Sequence, residues 1–400
     1  MMIAKPVKDA GRRFRFPVPC RNSSLSAPPR QRRRRWPIAL AVIVGAVTLA
    51  ACAAFETVDY YWQGAAGQWE LISRSQPIPD VIGKSDQALA ERLQRIREIR
   101  GFASHELGLP DNGSYTRYTD LGRPFVTWNV FATPELSMSP RQWCFPIAGC
   151  VNYRGYFREN EAQGEQQRLQ AAGDDVYVGG VPAYSTLGWF DDPVLSSFVR
   201  WPETEVARLI FHELAHQLLY VKSDSVFNES FATAVEEAGL ARWLARRQDP
   251  QLAQQAVRTD KLRAKFRDLV RTTRAKLYEL YASSLSDDDK RRGKAAALAA
   301  MKAAYETEKS GEPGLGGYDR WFAQKPNNAA LAAIGIYTDR VPAFRELLHE
   351  TDDDLPRFYE RVRQLSVLPK RARDAELDAL SSRAAAASMS AQRRGPDAAD

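Results

Sequence analysis

Apolar positions recur at helical spacing through most of the second half of this chain and at strand spacing over short stretches before it. From Ser85 to Leu107, the residues Ala88, Leu89, Leu93, Ile96 and Phe102 fall on one side and Arg and Glu on the other, which predicts a helix ended by Pro110-Asp111-Asn112-Gly113. Short β-branched or alternating runs follow at Tyr115–Thr119, Phe125–Phe131, Cys150–Phe157 and Val176–Val181, parted by Gly and Pro, with one helix, Arg158–Ala172, among them. They predict a small mixed sheet. From Glu203 onwards helices dominate, including a long charged one around Leu252–Ala282 and another after Asp287. The expected class is α+β, a small mixed β-sheet subdomain packed on a predominantly helical body, with an α+β part over 52–200 and a helical part over 201–370. Beyond about Lys370, Ala, Ser, Arg and Asp without bulky residues predict a disordered tail over 371–400.

The amino terminus has a different pattern. Arg32-Arg33-Arg34-Arg35 precedes an apolar run from Trp36 to Ala51, and Leu49-Ala50-Ala51-Cys52 closes it with small residues before a cysteine. That run is shorter than the roughly 20 residues that span a bilayer, which favours a cleaved signal over a permanent anchor. Residues 1–51 therefore read as a leader with a lipoprotein signal, cleaved before a lipidated Cys52. Ala53 behind the cysteine points to the periplasmic face of the outer membrane of a bacterial cell envelope. The leader carries 11 Lys and Arg against one Asp, so the overall charge of +7 becomes about −3 for the rest. No basic stripe interleaved with aromatics remains, and a nucleic-acid partner is excluded. After Cys52 only Cys144 and Cys150 are left; an exported chain predicts that they pair as a disulfide fixing a bend between strands.

The chemistry is concentrated in Phe211-His212-Glu213-Leu214-Ala215-His216 and Asn228-Glu229-Ser230-Phe231-Ala232. Residues four apart share a helix face, so His212 and His216 can aim ring nitrogens at one ion. Glu213 beside them suits a general base that takes a proton from the attacking water and returns it to the leaving amine. A catalytic zinc wants a third protein ligand. The other histidines, His105 and His349, are distant, so a carboxylate is expected: Glu229, on a second helix that Asp224 or Ser225 caps after a turn at Lys222-Ser223-Asp224. Thr233 and Glu236, one and two turns on, are candidates to hydrogen-bond the ligand histidines. The implied cofactor is Zn2+ and the implied reaction peptide hydrolysis.

These two segments resemble the gluzincin metallopeptidases, whose third ligand is a glutamate of this type. Through Tyr60-Tyr61-Trp62-Gln63, Glu106-Leu107-Gly108-Leu109-Pro110, Asp120-Leu121-Gly122-Arg123-Pro124 and Gly179-Gly180-Val181-Pro182-Ala183-Tyr184-Ser185-Thr186, the chain also resembles a family of bacterial lipoproteins described as putative aminopeptidases, over about Tyr60 to Leu348. The gluzincin resemblance implies that Asp175–Thr186 is an edge strand pairing with the substrate backbone, where Gly179 and Gly180 permit close approach. Tyr184, on that strand, is then the candidate to stabilise the oxyanion, with Tyr318 and Tyr337 as alternatives. The Gly-x-Met-Glu-Asn signature with which large aminopeptidases hold the substrate ammonium is absent; Glu236, Asp191 and Asp192 are the carboxylates considered for that task. An envelope endopeptidase and a non-catalytic, zinc-braced interaction lipoprotein are the alternative readings. Peptide specificity and oligomeric state are not encoded in any motif of the chain.

Overall fold

In the computed structural model of the chain, residues 60–145, 149–183, 185–336 and 339–393 are described. The leader with Cys52, and the tyrosines Tyr184 and Tyr337, lie outside them. The described residues, from Tyr60 on, form one compact unit.

Helix α1 (60–74) leads through β1 (Gln76–Pro77) and α2 (Ile78–Ile82) into α3 (Gln87–His105). Asp86 starts α3 by accepting a hydrogen bond from Leu89 N at 2.8 Å, the usual device for an orphaned first-turn amide. The strands are β2 (Arg117–Thr119), β3 (Thr127–Pro134), β4 (Trp143–Phe145), β5 (Gly149–Val151), β6 (Arg154–Tyr156), β7 (Asp174–Val181) and β8 (Val194–Leu195), with α4 (Glu159–Ala171) before β7. Then come α5 (Glu203–Leu218), α6 (Ser225–Arg247), α7 (Pro250–Ala282), α8 (Asp287–Gly311), α9 (Asp319–Ala323), α10 (Asn328–Ile336), α11 (Val341–Glu350), α12 (Leu355–Ser366) and α13 (Lys370–Arg393). The fold is α+β and predominantly helical.

The expected single mixed sheet is replaced by three small ones: β1-β2-β8, β6-β3-β7 and the hairpin β4-β5. Most of these strands are only two or three residues long, too short to hold a joint ladder, and the one parallel pair described, β2 with β8, is made by a remote return of the chain. In the middle sheet β3 is central and antiparallel to both neighbours, Asn129 facing Gly155 on one side and Gly179 on the other. Trp128, Val130, Ala132 and Val176 pack with Ala162 and Leu169 of α4, while Phe131 on the opposite face meets Ala329 and Ala333 of α10. Both faces are covered, which is why β3 is buried from Thr127 through Thr133.

The main core takes side chains from both halves of the sequence. Leu93, Ile96 and Phe102 of α3 share it with Phe211 and Leu214 of α5, Phe231 and Val235 of α6, Phe344 of α11 and Phe358 of α12. Each such burial is worth roughly 1.5–3 kcal/mol. A second core joins α7 and α8 through Phe266, Val270, Leu277, Met301 and Tyr305. The disordered tail expected over 371–400 is corrected for its described part, because Lys370–Arg393 is helical. Alanine, arginine and leucine are good helix formers, and Arg373, Leu377 and Leu380, spaced four and three apart, lie on one face and are buried.

Candidate metal centre

Helix α5 carries both imidazoles. Glu203 and Glu205 occupy its first turn, where negative charge complements the helix dipole, and they also tie α5 to its neighbours: Glu203 accepts from Trp243 Nε1 at 3.0 Å and pairs with Arg247 at 3.0 Å. The helix ends at Leu219 with extended backbone, and after a short turn α6 begins at Ser225, with Asp224 Oδ1 accepting from Phe227 N. Asn228, directly before Glu229, braces this turn: its Oδ1 accepts from Val221 N at 2.7 Å and its Nδ2 donates to Val221 O at 2.8 Å. Ser223 Oγ accepts from Cys150 N at 3.0 Å, so the β4-β5 hairpin, closed by the Cys144–Cys150 disulfide, rests on the same turn. Gly149 makes that approach possible, since a Cβ there would collide with Ser223 and its φ of 76° suits glycine.

The consequence is convergence. His212 Nε2 lies 3.1 Å from His216 Nε2 and 3.2 Å from Glu229 Oε2, and His216 Nε2 lies 3.6 Å from the same oxygen. Three ligands at about 2.0–2.1 Å from a tetrahedral cation stand about 3.3 Å apart, so these groups can hold one metal ion between them. The donor set, two nitrogens and one carboxylate oxygen, suits a borderline cation. His212 is oriented from behind: its Nδ1–H donates to Glu236 Oε2 at 3.1 Å, and Glu236 in turn accepts from Arg208 at 3.2 Å. Among the described residues, Thr233 makes no hydrogen bond to either imidazole, and the buried Nδ1 of His216 has no hydrogen-bond partner.

Burial by itself lowers the basicity of His212, but the hydrogen bonds that Glu229 and Glu236 accept from it outweigh this and hold the ring well above an ordinary imidazole. Burial raises the Glu229 carboxyl, and the two histidines more than reverse this, leaving it at about 2. Glu213 is different. Burial dominates and pushes it above the ordinary glutamate range, with the histidines opposing and the charges of Glu229 and Glu236 adding to the rise. A carboxylate that holds its proton more tightly than usual, beside a metal-binding set, has the character of a general base.

His212, His216 and Glu229 open into a cleft of about 470 Å³. One wall is α1, through Tyr60, Tyr61 and Ala65; another is the sheet face of Thr127, Asn129 and Gly155; Phe145, Val151, Tyr153, Phe157, Leu187 and Tyr220 add an apolar and aromatic lining. Gln63 anchors α1 by accepting from Phe157 N at 3.0 Å, and Gly67 packs against the Phe157 ring. Strand β7 is at the sheet edge, as the sequence reading places it, and the chain beyond it, including Val181, Ala183 and Ser185, lines the cleft. Val181 O accepts from Val126 N, so by strand alternation the main-chain groups of Val176, Val178 and Gly180 point away from β3; Asn327 donates to Val176 O at 3.0 Å.

Sequence reasoning missed Tyr153 and Tyr220. Burial, and after it the negative charge of Glu229, raises both phenols and keeps them protonated beside the ligands. Their segments carry no motif, so only the fold brings them in. Tyr318 stacks on Phe266 at 4.0 Å and lines a separate cavity behind His212 with Thr233 and Glu236, so it does not reach this cleft. Asp191 is exposed and does not line the cleft. Asp192 is buried beside the cleft wall, where its Oδ2 accepts from Thr186 N at 3.0 Å and Gln217 Nε2 at 3.2 Å. Burial pushes its carboxyl up to about 6 against those hydrogen bonds.

A family model described as "Putative aminopeptidase" matches residues 59–377. No curated protein matches the chain, and no solved structure does.

Proposed function

Since the chain belongs to the family described as "Putative aminopeptidase", we propose that it is a zinc-dependent peptidase of the gluzincin type, a lipoprotein held at the cell envelope through Cys52 and acting as an aminopeptidase. The observation that carries this reading is the convergence of His212 Nε2, His216 Nε2 and Glu229 Oε2 within one ion's reach. When bound, zinc would supply a polarised peptide carbonyl and an acidified water. Glu213 takes the proton of the attacking water on its carboxylate and passes it to the leaving amine. The phenols of Tyr153 and Tyr220, and Tyr184 on sequence grounds, are the donors available for the carbonyl oxygen as charge develops on it. Peptide backbone would pair with the main-chain groups of Val178 and Gly180 that point away from β3 at the β7 edge, giving binding with little dependence on side chains.

An endopeptidase is the second reading, and one observation favours it. Among the described residues lining the cleft, the carboxylates are Glu213 and Glu229, both committed to the metal chemistry, while Glu236 is held by His212 and Arg208. Among the described residues lining the cleft, no further acid is positioned for a substrate ammonium. Hydrolysis of paired peptides with free and acetylated amino ends decides between the two. Cleavage of the free-ended member alone is the aminopeptidase result; equal cleavage of both makes the protein an endopeptidase. The Glu213→Gln variant should lose at least about 100-fold in kcat while keeping its metal. Wild-type chain with zinc that cleaves neither peptide would leave only the scaffold reading.

A further inference from the structure

Helix α1 is apolar on both sides. Its inner face, with Gly67 and Leu71 buried, packs on the body, whereas Tyr61, Trp62, Ala65, Ala66 and Trp69 are exposed on the outer side. Trp62 is 72% and Trp69 71% exposed, and seven residues apart on a helix they lie on one face. No charged residue occurs between Asp59 and Glu70. A surface helix that shows tryptophan, two alanines and tryptophan to solvent lacks the polar face that water normally requires.

We propose that this stripe docks on a lipid bilayer and sets the mouth of the metal cleft at the membrane surface. Only seven residues separate Cys52 from Tyr60, so even fully extended chain reaches no more than about 30 Å from a lipidated cysteine to the helix. A signal retained through its apolar run ending at Ala51 leaves the same short tether. Tryptophan rings are the side chains that settle at the boundary of headgroups and acyl chains. Tyr61 and Ala65 line the cleft from this helix; across the cleft, Leu187 is followed by Trp189 and Phe190, which are also exposed. The cleft rim thus carries aromatic side chains from two separate segments. With the body at about −3, attraction to an anionic bilayer contributes nothing, and binding is apolar and insensitive to salt.

The inference rests on the proposed envelope anchor, and the test uses the unanchored body so that the two fail separately. The described residues form a compact unit of their own, so the chain from Ala53 on is mixed with sucrose-loaded vesicles of phosphatidylethanolamine and phosphatidylglycerol and sedimented. The body should pellet with the vesicles at low and high salt, and the double variant Trp62→Ser, Trp69→Ser should lose about tenfold or more of that binding while unfolding at an unchanged temperature. A body that stays in the supernatant, or a double variant that pellets like the wild type, overturns the proposal. So does wild-type dimerisation in sedimentation velocity that the double substitution abolishes without any vesicle binding, because the stripe would then be covered by a second copy. Lipidation of Cys52 is read independently, from the mass of the processed chain.

Discussion

Asp192 shows how much a single buried group can decide. Its carboxyl lies under Gln217, which Asn112 holds from the other side through Gln217 Oε1 at 2.8 Å, and it caps the Thr186 amide of the cleft wall. Burial raises it from 3.8 to about 6. The folded carboxyl therefore binds its proton more tightly than the unfolded one, and the stabilisation, complete below about pH 4, is lost as pH rises through about 6. The wild type should lose about 2–3 kcal/mol across that window relative to Asp192→Asn, which keeps the acceptor without the charge. Denaturant unfolding of both proteins between those pH values measures the difference; parallel stability curves would contradict it. Other residues were readable in advance. His212 and His216 stand at the spacing that places two residues on one helix face, Glu229 was singled out as the carboxylate of the next helical run, and Glu236 lies where two turns from Glu229 place it. The clamp of Asn228 on Val221 was not readable, because it depends on a turn that bends back onto its own helix.

At the scale of elements, the α5-α6 hairpin was visible in the sequence, from its apolar period to the Asp224 cap, and what supports it was not. Cys144 and Cys150 sit some seventy residues earlier, and nothing local says that their hairpin rests on Ser223. Closing so short a loop is worth about 2 kcal/mol by loop entropy. Reductant should therefore lower the unfolding temperature of the wild type and its affinity for zinc, and should leave a Cys144→Ser, Cys150→Ser variant unchanged from its own lower starting point. Equal unfolding temperatures for oxidised and reduced wild type would show that the hairpin gives the turn no support. The expected runs overlap β2, β3, β5, β6 and β7 to within two or three residues, but Cys150–Phe157 holds two strands, the short β1, β4 and β8 were not expected, and the division into three sheets was not legible, since strand periodicity carries no information on which strands pair.

At the scale of the whole molecule, the carboxyl-terminal helix joins residues far apart in sequence. Arg373 of α13 donates to Asp224 Oδ2 through Nη2 at 2.6 Å and Nε at 3.1 Å, with both side chains 5% exposed, so the cap of α6, which carries Glu229, is fixed by a residue almost 150 positions away. Composition suggested disorder there because alanine and arginine dominate; three well-spaced residues in a helix-forming stretch proved sufficient to dock it. Arg373→Ala leaves the buried Asp224 with only the exposed Lys370, 3.5 Å away, as counter-charge and should cost about 3 kcal/mol in unfolding free energy. Restoring part of that loss with Asp224→Asn in the same chain would identify the unpaired charge as the cause, and no recovery would point to packing. The aromatic cleft is likewise a property of the whole: α1, the disulfide hairpin, the sheet face and the Leu187 segment each contribute, and no stretch of sequence shows the site they make together.

The most direct test is the metal content of the chain purified without chelator, determined by mass spectrometry of the elements for the wild type, Glu213→Gln and Glu229→Ala. One zinc per chain in the first two, and a loss of most of it in Glu229→Ala, is the predicted result. Zinc bound equally by all three, or by none, would contradict a centre built from His212, His216 and Glu229.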